Sequence, residues 1–324
     1  MPLHLRFFKN WNWAYVLGEL VLVTLGVLLA LAVSNWSNRK TEIKKEAFHL
    51  QDLERSLRSD LDELRSIIAF HGATERSCML LYQHLLAGKP WNDTASKWIS
   101  STGDFLPFFP QRAAFENLKS LDFNLIKNDQ LRASIFQVYE ERFEQQRLSE
   151  QALIRRVEQH WIPILSTKVR TLEDYTIEPV DYTAILQQPQ YRNYLGLLQG
   201  DHNRIVGVAK VAAMDVEILI RQIEVELSRI SAGRRRTQEP RIVTMQLEGF
   251  PQAKKVALSG TFNNWHHTKN MMQRNEKGWE LTLSLKPGVY MYKFIVDGEW
   301  IEDPANLDVI LSEYDNYNSV LKVQ

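Results

Sequence analysis

Residues 14–33 read AYVLGELVLVTLGVLLALAV, an apolar run whose one ionisable side chain, apart from the interfacial Tyr15, is Glu19. Such a run leaves the backbone few choices. In hydrocarbon every peptide N–H and C=O needs an internal partner, which a single segment finds only as a helix. About twenty residues at the helical rise match the ~30 Å apolar core of a bilayer. Trp11, Trp13 and Tyr15 stand at one end and Trp36 at the other, where amphipathic rings settle at membrane surfaces. The competing reading is a cleaved secretory signal with Ala30-Leu31-Ala32 as its small-residue cleavage site; the length of the run argues against it. A retained transmembrane helix is expected at 14–33, within an anchor segment 1–40.

Glu19 admits two readings. Gly26 and Ala30 follow it by seven and eleven residues and so return to within about 20° of it around a helix. They form a small-xxx-small pair that lets two helices approach closely, which makes a homo-oligomeric seam with Glu19 inside it one reading. The other places Glu19 near the interface with its carboxylate reaching water. Arg6 and Lys9 precede the span; Arg39, Lys40, Lys44 and Lys45 follow it, so the basic bias nearly balances. A short basic tail on an uncleaved anchor stays in the cytoplasm. The expected location is therefore the cell membrane, crossed once, with a periplasmic C-terminal body.

From 41 to 232 the apolar period is helical. Leu50, Leu53, Leu57, Leu61, Leu64 and Ile67 recur at steps of three and four, a coiled-coil-like stripe over residues 42–70. Gly72 predicts a break, and a second helix runs to Leu86 before Gly88-Lys89-Pro90. Further helices are expected at 112–127, at 129–161 ending near Pro163, and at 190–230. The last carries Val216, Leu219, Ile220, Ile223, Leu227 and Ile230 on one stripe, closed by Ser231-Ala232-Gly233. Residues 172–189 are mixed, with Glu178-Pro179 and Gln188-Pro189 as breakers. These elements predict an antiparallel α-helical bundle standing on the membrane.

The body shows no pattern that carries chemistry. His49, His71, His84, His160 and His202 have no metal-binding helical spacing and read as ordinary core or surface residues. Neither a nucleophile elbow nor a phosphate-cradling glycine loop occurs, so no cofactor or metal is expected. Cys78 is the one cysteine and makes no internal disulfide. Thirty-nine basic residues balance thirty-nine acidic ones, which argues against a nucleic-acid partner. Arg234-Arg235-Arg236 reads as part of a solvated linker, 233–241.

The run AYVLGELVLVTLGVLLALAVSNWSNRK, with FENLKSLDFNLIKNDQLR and QQPQYRNYL, resembles a bacterial family of single-pass membrane proteins of unknown function. The resemblance covers roughly residues 5–230. It implies an anchored helical domain and supplies no activity.

Beyond the linker, over 242–324, the period changes to two. Val256 and Leu258 alternate, as do Trp279, Leu281 and Leu283, with turn signals at Lys286-Pro287-Gly288 and Asp297-Gly298. Short strands at this spacing predict an all-β sandwich. In VYMYKFIV, alternation puts Tyr290, Tyr292, Phe294 and Val296 on the core face and Val289, Met291, Lys293 and Ile295 on the other. A two-residue Asp297-Gly298 turn pairs Ile295 with Trp300, so Lys293 and Trp300 are expected to project outward together. An exposed indole beside a lysine suits a sugar, whose C–H face stacks while its hydroxyls meet polar groups. Trp265, in GTFNNW, is either a second stacking surface or a loop anchor on the core.

VALSGTFNNWHHTKNMM, GWELTLSL, PGVYMYKFIVDGEWIEDP and YNSVLKV, in that order, resemble the family 48 carbohydrate-binding module over about 243–323. That is the glycogen-binding domain of AMP-activated kinase β subunits, and it implies an immunoglobulin-like sandwich. The resemblance implies glucan contacts at Trp265, Lys293, Trp300 and Asn318. Where glycogen-binding members carry a leucine and a threonine before that asparagine, this chain has Tyr314 and Asn316. That departure leaves the preferred glucan open and offers Tyr314 as a further stacking surface.

Hydrolysis needs two carboxylates facing each other across the bond. Of the candidates, Asp297 sits in a turn before Gly and Asp303 precedes Pro304, structural places both, leaving Glu302 alone. The chain also ends soon after, without room for the barrel that accompanies this module in debranching enzymes. The expectation is a multidomain, non-catalytic, membrane-anchored protein with an α-glucan and the lipid bilayer as partners. The alternative is a membrane-tethered scaffold or sensor whose β domain docks a protein.

Overall fold

The computed structural model describes residues 13–121, 123–171, 177–233 and 239–323, with side chains from Leu17 onward. Arg6, Lys9, Trp11, residues 172–176 of the mixed segment and Arg234–Arg236 of the linker lie outside the described residues, as do the side chains of Trp13 and Tyr15. The chain divides into two compact units, Met1–His49 and Leu50–Gln324.

Helix α1 (Trp13–Leu86) runs 74 residues and contributes to both. In the first unit its residues from Leu17 to Lys45 are exposed, Glu19, Gly26 and Ala30 among them. An 18-residue window here has a mean hydropathy of 2.3, long and apolar enough to cross a membrane by composition.

In the second unit the leucine stripe Leu50, Leu53, Leu57, Leu61, Leu64 and Ile67 is buried, as its spacing predicts. The break predicted at Gly72 does not occur. His71, Thr74, Cys78, Leu81 and Leu85 carry the buried stripe onward, and that packing overrides the ~1 kcal/mol that glycine costs a helix. The helix ends after Leu86, where Gly88 takes the left-handed conformation at φ +59°.

Helices α2 (Asp93–Ser101) and α3 (Ala113–Leu121) follow, then α4 (Asp129–Phe136), α5 (Phe143–Arg156) and α6 (Ile162–Lys168). Two π turns, Gln137–Arg142 and Val157–Trp161, join the last three. The helical path therefore passes Pro163, at which its end was expected. Pro163 comes just after the π turn, whose wider i→i−5 bond runs from Ile162 N–H to Val157 O, and the helical path continues past it. Strands β1 (Val169–Thr171) and β2 (Ile177–Pro179) pair antiparallel, so Glu178-Pro179 ends a strand rather than breaking a helix. Helix α7 (Tyr182–Gln187) leads to α8 (Pro189–Ser231), 43 residues long, which buries Val216, Leu219, Ile220 and Ile223 and is capped by Gly233 at φ +62°.

The segment between α2 and α3 is a strap tied down by ionisable groups. Leu106 N–H donates to His71 Nε2 at 3.4 Å, Phe108 N–H to Glu150 at 3.2 Å, Phe109 N–H to Glu63 at 2.9 Å and Gln111 N–H to Asp60 at 2.8 Å. Pro107 and Pro110, between them, have no N–H to place.

The C-terminal β domain comprises β3 (Arg241–Glu248), β4 (Val256–Gly260), β5 (Gln273–Arg274), β6 (Gly278–Leu285), β7 (Gly288–Val296), β8 (Glu299–Ile301), β9 (Val309–Leu311) and β10 (Tyr317–Val323). One sheet runs β3-β6-β5; the other runs β4-β7-β10-β9, with β8 on β7. Their facing sides share one core: Met245, Leu247, Trp279 and Leu283 from the first, Val256, Leu258, Tyr292, Phe294 and Val323 from the second. The domain and the helical body lie within the same compact unit.

Candidate carbohydrate-binding face

The outer surface of the β4-β7-β10-β9 sheet is set by two-residue alternation along β7. Phe294 and Tyr292 enter the core, which turns Lys293 and Met291 the other way. Asp297 and Gly298 both take positive φ, +50° and +102°, the geometry of a tight hairpin turn, and pair Ile295 with Trp300. Asp297 is itself committed: its carboxylate accepts the N–H groups of Lys254 and Lys255 at 2.9 and 2.8 Å, fastening the hairpin to β4.

Trp265 reaches the same surface from the β4–β5 loop. Gly260 begins that loop with no room for a side chain, since a Cβ there would fall 2.3 Å from Met291 O. Asn263, buried, accepts Gly260 N–H at 3.0 Å and donates to Asn270 at 2.7 Å. Asn264 and Trp265 then take left-handed φ of +55° and +57°, and Trp265 N–H closes on Gly260 O at 2.9 Å. The Trp265 and Trp300 rings come to 6.1 Å between centroids at 51°. Two indoles at such an angle place two apolar ring systems side by side on one sheet face. Trp300 is 45% exposed. Trp265 is partly buried and packs against the Met291, Ile310 and Val320 cluster, as a loop anchor does.

Lys293 is on the expected face yet does not project into water. It is only 6% exposed, and its ammonium donates to Asn316 Oδ1 at 2.8 Å. Burial lowers its pKa below the usual lysine range, with the Glu302 carboxylate opposing. Alternation gives direction but not depth, and here the β9–β10 turn lies over the side chain. That turn, Ser312–Asn316, is closed by Ser312 N–H on Asn316 O at 2.6 Å and by the Ser312 hydroxyl on Asn316 Oδ1 at 2.8 Å. Tyr314, at its tip, is 77% exposed. Asn318 is buried at 7%, its amide 4.0 Å from Met291 Sδ. The structure thus brings Trp265 to Trp300 and Lys293 to Asn316, leaves Tyr314 open and withdraws Lys293 and Asn318 from solvent.

The other carboxylates already hold partners. Asp303 accepts the Tyr292 hydroxyl at 2.5 Å and Ala305 N–H at 2.9 Å, and Glu302 accepts Tyr317 N–H at 3.3 Å. Among the described residues, no group of three or more His, Cys, Asp or Glu is placed to hold a metal.

Helix α8 touches this sheet through residues that the sequence reading passed over. Met214 and Ile218 pack on Met291, Ile310 and Val320. Lys210 donates to Asp315 at 2.5 Å, and Arg221 pairs with Asp308 and donates to Val309 O at 3.1 Å. Positions 210, 214, 218 and 221 form a second helical stripe. That spacing was the available signal, masked by the stronger stripe through Val216 and Ile223.

Fold and face together define a β domain of carbohydrate-binding type. Residues 243–324 match the family described as the glycogen recognition site of AMP-activated protein kinase, and the chain carries that family 48 carbohydrate-binding domain at its C-terminus. The chain is 38% identical over 71 residues to the AMP-activated protein kinase subunit β-1 of pig (Sus scrofa), covering 22% of this chain and 56% of that sequence. Over a stretch of the same length it is 37% identical to subunit β-1 of rat (Rattus norvegicus) and to subunit β-2 of mouse (Mus musculus), covering 25% and 26% of them. The similarity therefore speaks for this domain and not for the helical body.

Proposed function

We propose that this is a non-catalytic, membrane-anchored protein that holds α-glucan through an immunoglobulin-like sandwich at its C-terminus. One observation carries the reading. In a domain of glycogen-recognition type, two indoles meet at 6.1 Å on one sheet face, beside a lysine. The commitment of Asp297, Glu302 and Asp303 to hydrogen bonds within the domain supports binding over hydrolysis. The exposed apolar stretch of α1 supports an anchor, with Glu19, Gly26 and Ala30 available for helix packing, and a periplasmic body keeps the orientation read from the N-terminal charges. A second reading, in which the sheet face docks protein, is favoured by α8 already resting on it.

Affinity electrophoresis of the detergent-solubilised chain in gels containing amylopectin or glycogen tests this. Retardation relative to a non-binding control is expected, with Trp300→Ala and Trp265→Ala each losing about 1–2 kcal/mol of binding, as truncation of an aromatic anchor at a binding face does. Migration identical to the control, unaltered by either substitution, would sink the glucan reading.

A further inference from the structure

The face that matches the glucan site is partly closed by the chain's own helix, and we propose that α8 and glucan compete for it. This rests on the glucan reading above. Two residues matched to sugar-contacting positions, Lys293 and Asn318, are withdrawn from solvent, whereas the indole of Trp300 stays open. Asn318 pairs in register with Ile310 and has its amide near Met291, both beneath Met214 and Ile218 of α8. Lys293 donates a hydrogen bond to Asn316 in the β9–β10 turn, and the neighbouring Asp315, held at φ +58°, is the residue that Lys210 of α8 grips.

Helix, turn and lysine thus form one connected path. With α8 seated, the turn stays over Lys293, and the donor a sugar hydroxyl needs is spent inside the protein. At the other end of the contact, Arg221 and Lys322 converge on Asp308, Lys322 at 3.0 Å. Release of α8 would free the turn, return Lys293 and Asn318 to the surface and extend the platform from the two indoles to the polar row beside them. The device makes glucan capture depend on the state of the helical body, and glucan in turn would loosen α8.

A glucan is uncharged, so exchanging charges in the Lys210–Asp315 pair alters its affinity through the helix contact and not through direct attraction. The experiment uses the full chain in detergent with maltoheptaose, following tryptophan fluorescence. Lys210→Glu and Asp315→Lys should each bind about two- to fivefold more tightly than the wild type, the range expected from one exposed ion pair. The double variant should return to the wild-type value. Acetylation of Lys293 by an amine-reactive ester, read by mass spectrometry without sugar, should speed up in each single variant and slow again in the double. Equal sugar affinity across all four proteins, with Lys293 equally reactive in each, overturns the competition and leaves glucan binding standing. Absence of sugar binding in all four overturns both.

Discussion

At the residue scale, a close backbone approach and a buried carboxyl have testable costs. Gly260 has extended backbone, so a side chain would meet no dihedral penalty, but its Cβ would collide with Met291 O at 2.3 Å. Gly260→Ala is expected to destabilise the β domain by about 2 kcal/mol or more, as forced overpacking does, read from denaturant unfolding. Asp60 is buried, and burial pushes its carboxyl up to about 6, against the Gln111 N–H that favours the charge. A carboxyl raised in this way contributes full stability below its ordinary value of 3.8 and loses it as pH rises to about 6. Asp60→Asn keeps an acceptor for Gln111 and removes that cost. The variant should gain on the order of 2 kcal/mol relative to wild type between pH 4 and pH 7. A difference independent of pH would show that the Asp60 carboxyl titrates alike in the folded and unfolded chain.

At the scale of elements, helix α1 and the β7–β8 hairpin show how far local rules reach. The hairpin was legible because Asp-Gly between alternating strands specifies both turn and register, and Ile295 does face Trp300. The continuation of α1 was not, because glycine is a weak local signal and the stripe past it runs through His71, Thr74 and Cys78, whose side chains do not read as apolar until they are seen buried. Nothing lies within 4 Å of a Cβ built at Gly72. Gly72→Ala should therefore stabilise the helical body by about 0.5–1 kcal/mol, measured as a raised denaturant midpoint at unchanged m. Loss of stability would mean that the helix needs glycine there for a close approach. Lys293 shows the complementary limit: the pattern located its face, while its burial came from a turn about twenty residues away.

At the scale of the whole molecule, the His71–His202 contact ties α1, α8 and the strap together. Both rings are buried, with their Nδ1 atoms 2.8 Å apart. Neutral rings suit this contact, one Nδ1–H donating to the other Nδ1, while His71 Nε2 lies 3.2 Å from Leu106 O and 3.4 Å from Leu106 N and His202 Nε2 lies 3.4 Å from Thr102 O. Burial lowers both pKa values, that of His202 to about 4 with the His71 ring adding to the effect. A histidine held below its ordinary 6.5 contributes stability that is complete above that value and is lost as pH falls towards about 4. His202→Gln can keep both hydrogen bonds but cannot charge. Its stability should fall less than wild type between pH 6.5 and 4, by up to about 3 kcal/mol in circular-dichroism melts. Parallel pH profiles would count against a neutral buried pair. The Asp60 and Glu150 carboxyls, both raised by burial, work in the opposite sense over the same window, so only the comparison of variants isolates each group.

What the sequence by itself determined is whatever depends on neighbours a few residues apart. The apolar run of α1, the leucine stripe from Leu50 to Ile67, the alternation through Phe294 and the Asp297-Gly298 turn are all of this kind. Tertiary structure alone decided which surfaces meet. It brought His71 and His202 into contact across 131 residues, tied the strap to Asp60, Glu63 and Glu150, and seated Met214 and Ile218 on the sheet that presents Trp265 and Trp300. Those contacts arise from packing between elements far apart in the chain: a local period such as Lys210, Met214, Ile218 and Arg221 marks a helix face but does not name the surface it meets. The carbohydrate-binding-type domain was therefore readable from the chain, while the seating of the helix on its face was not.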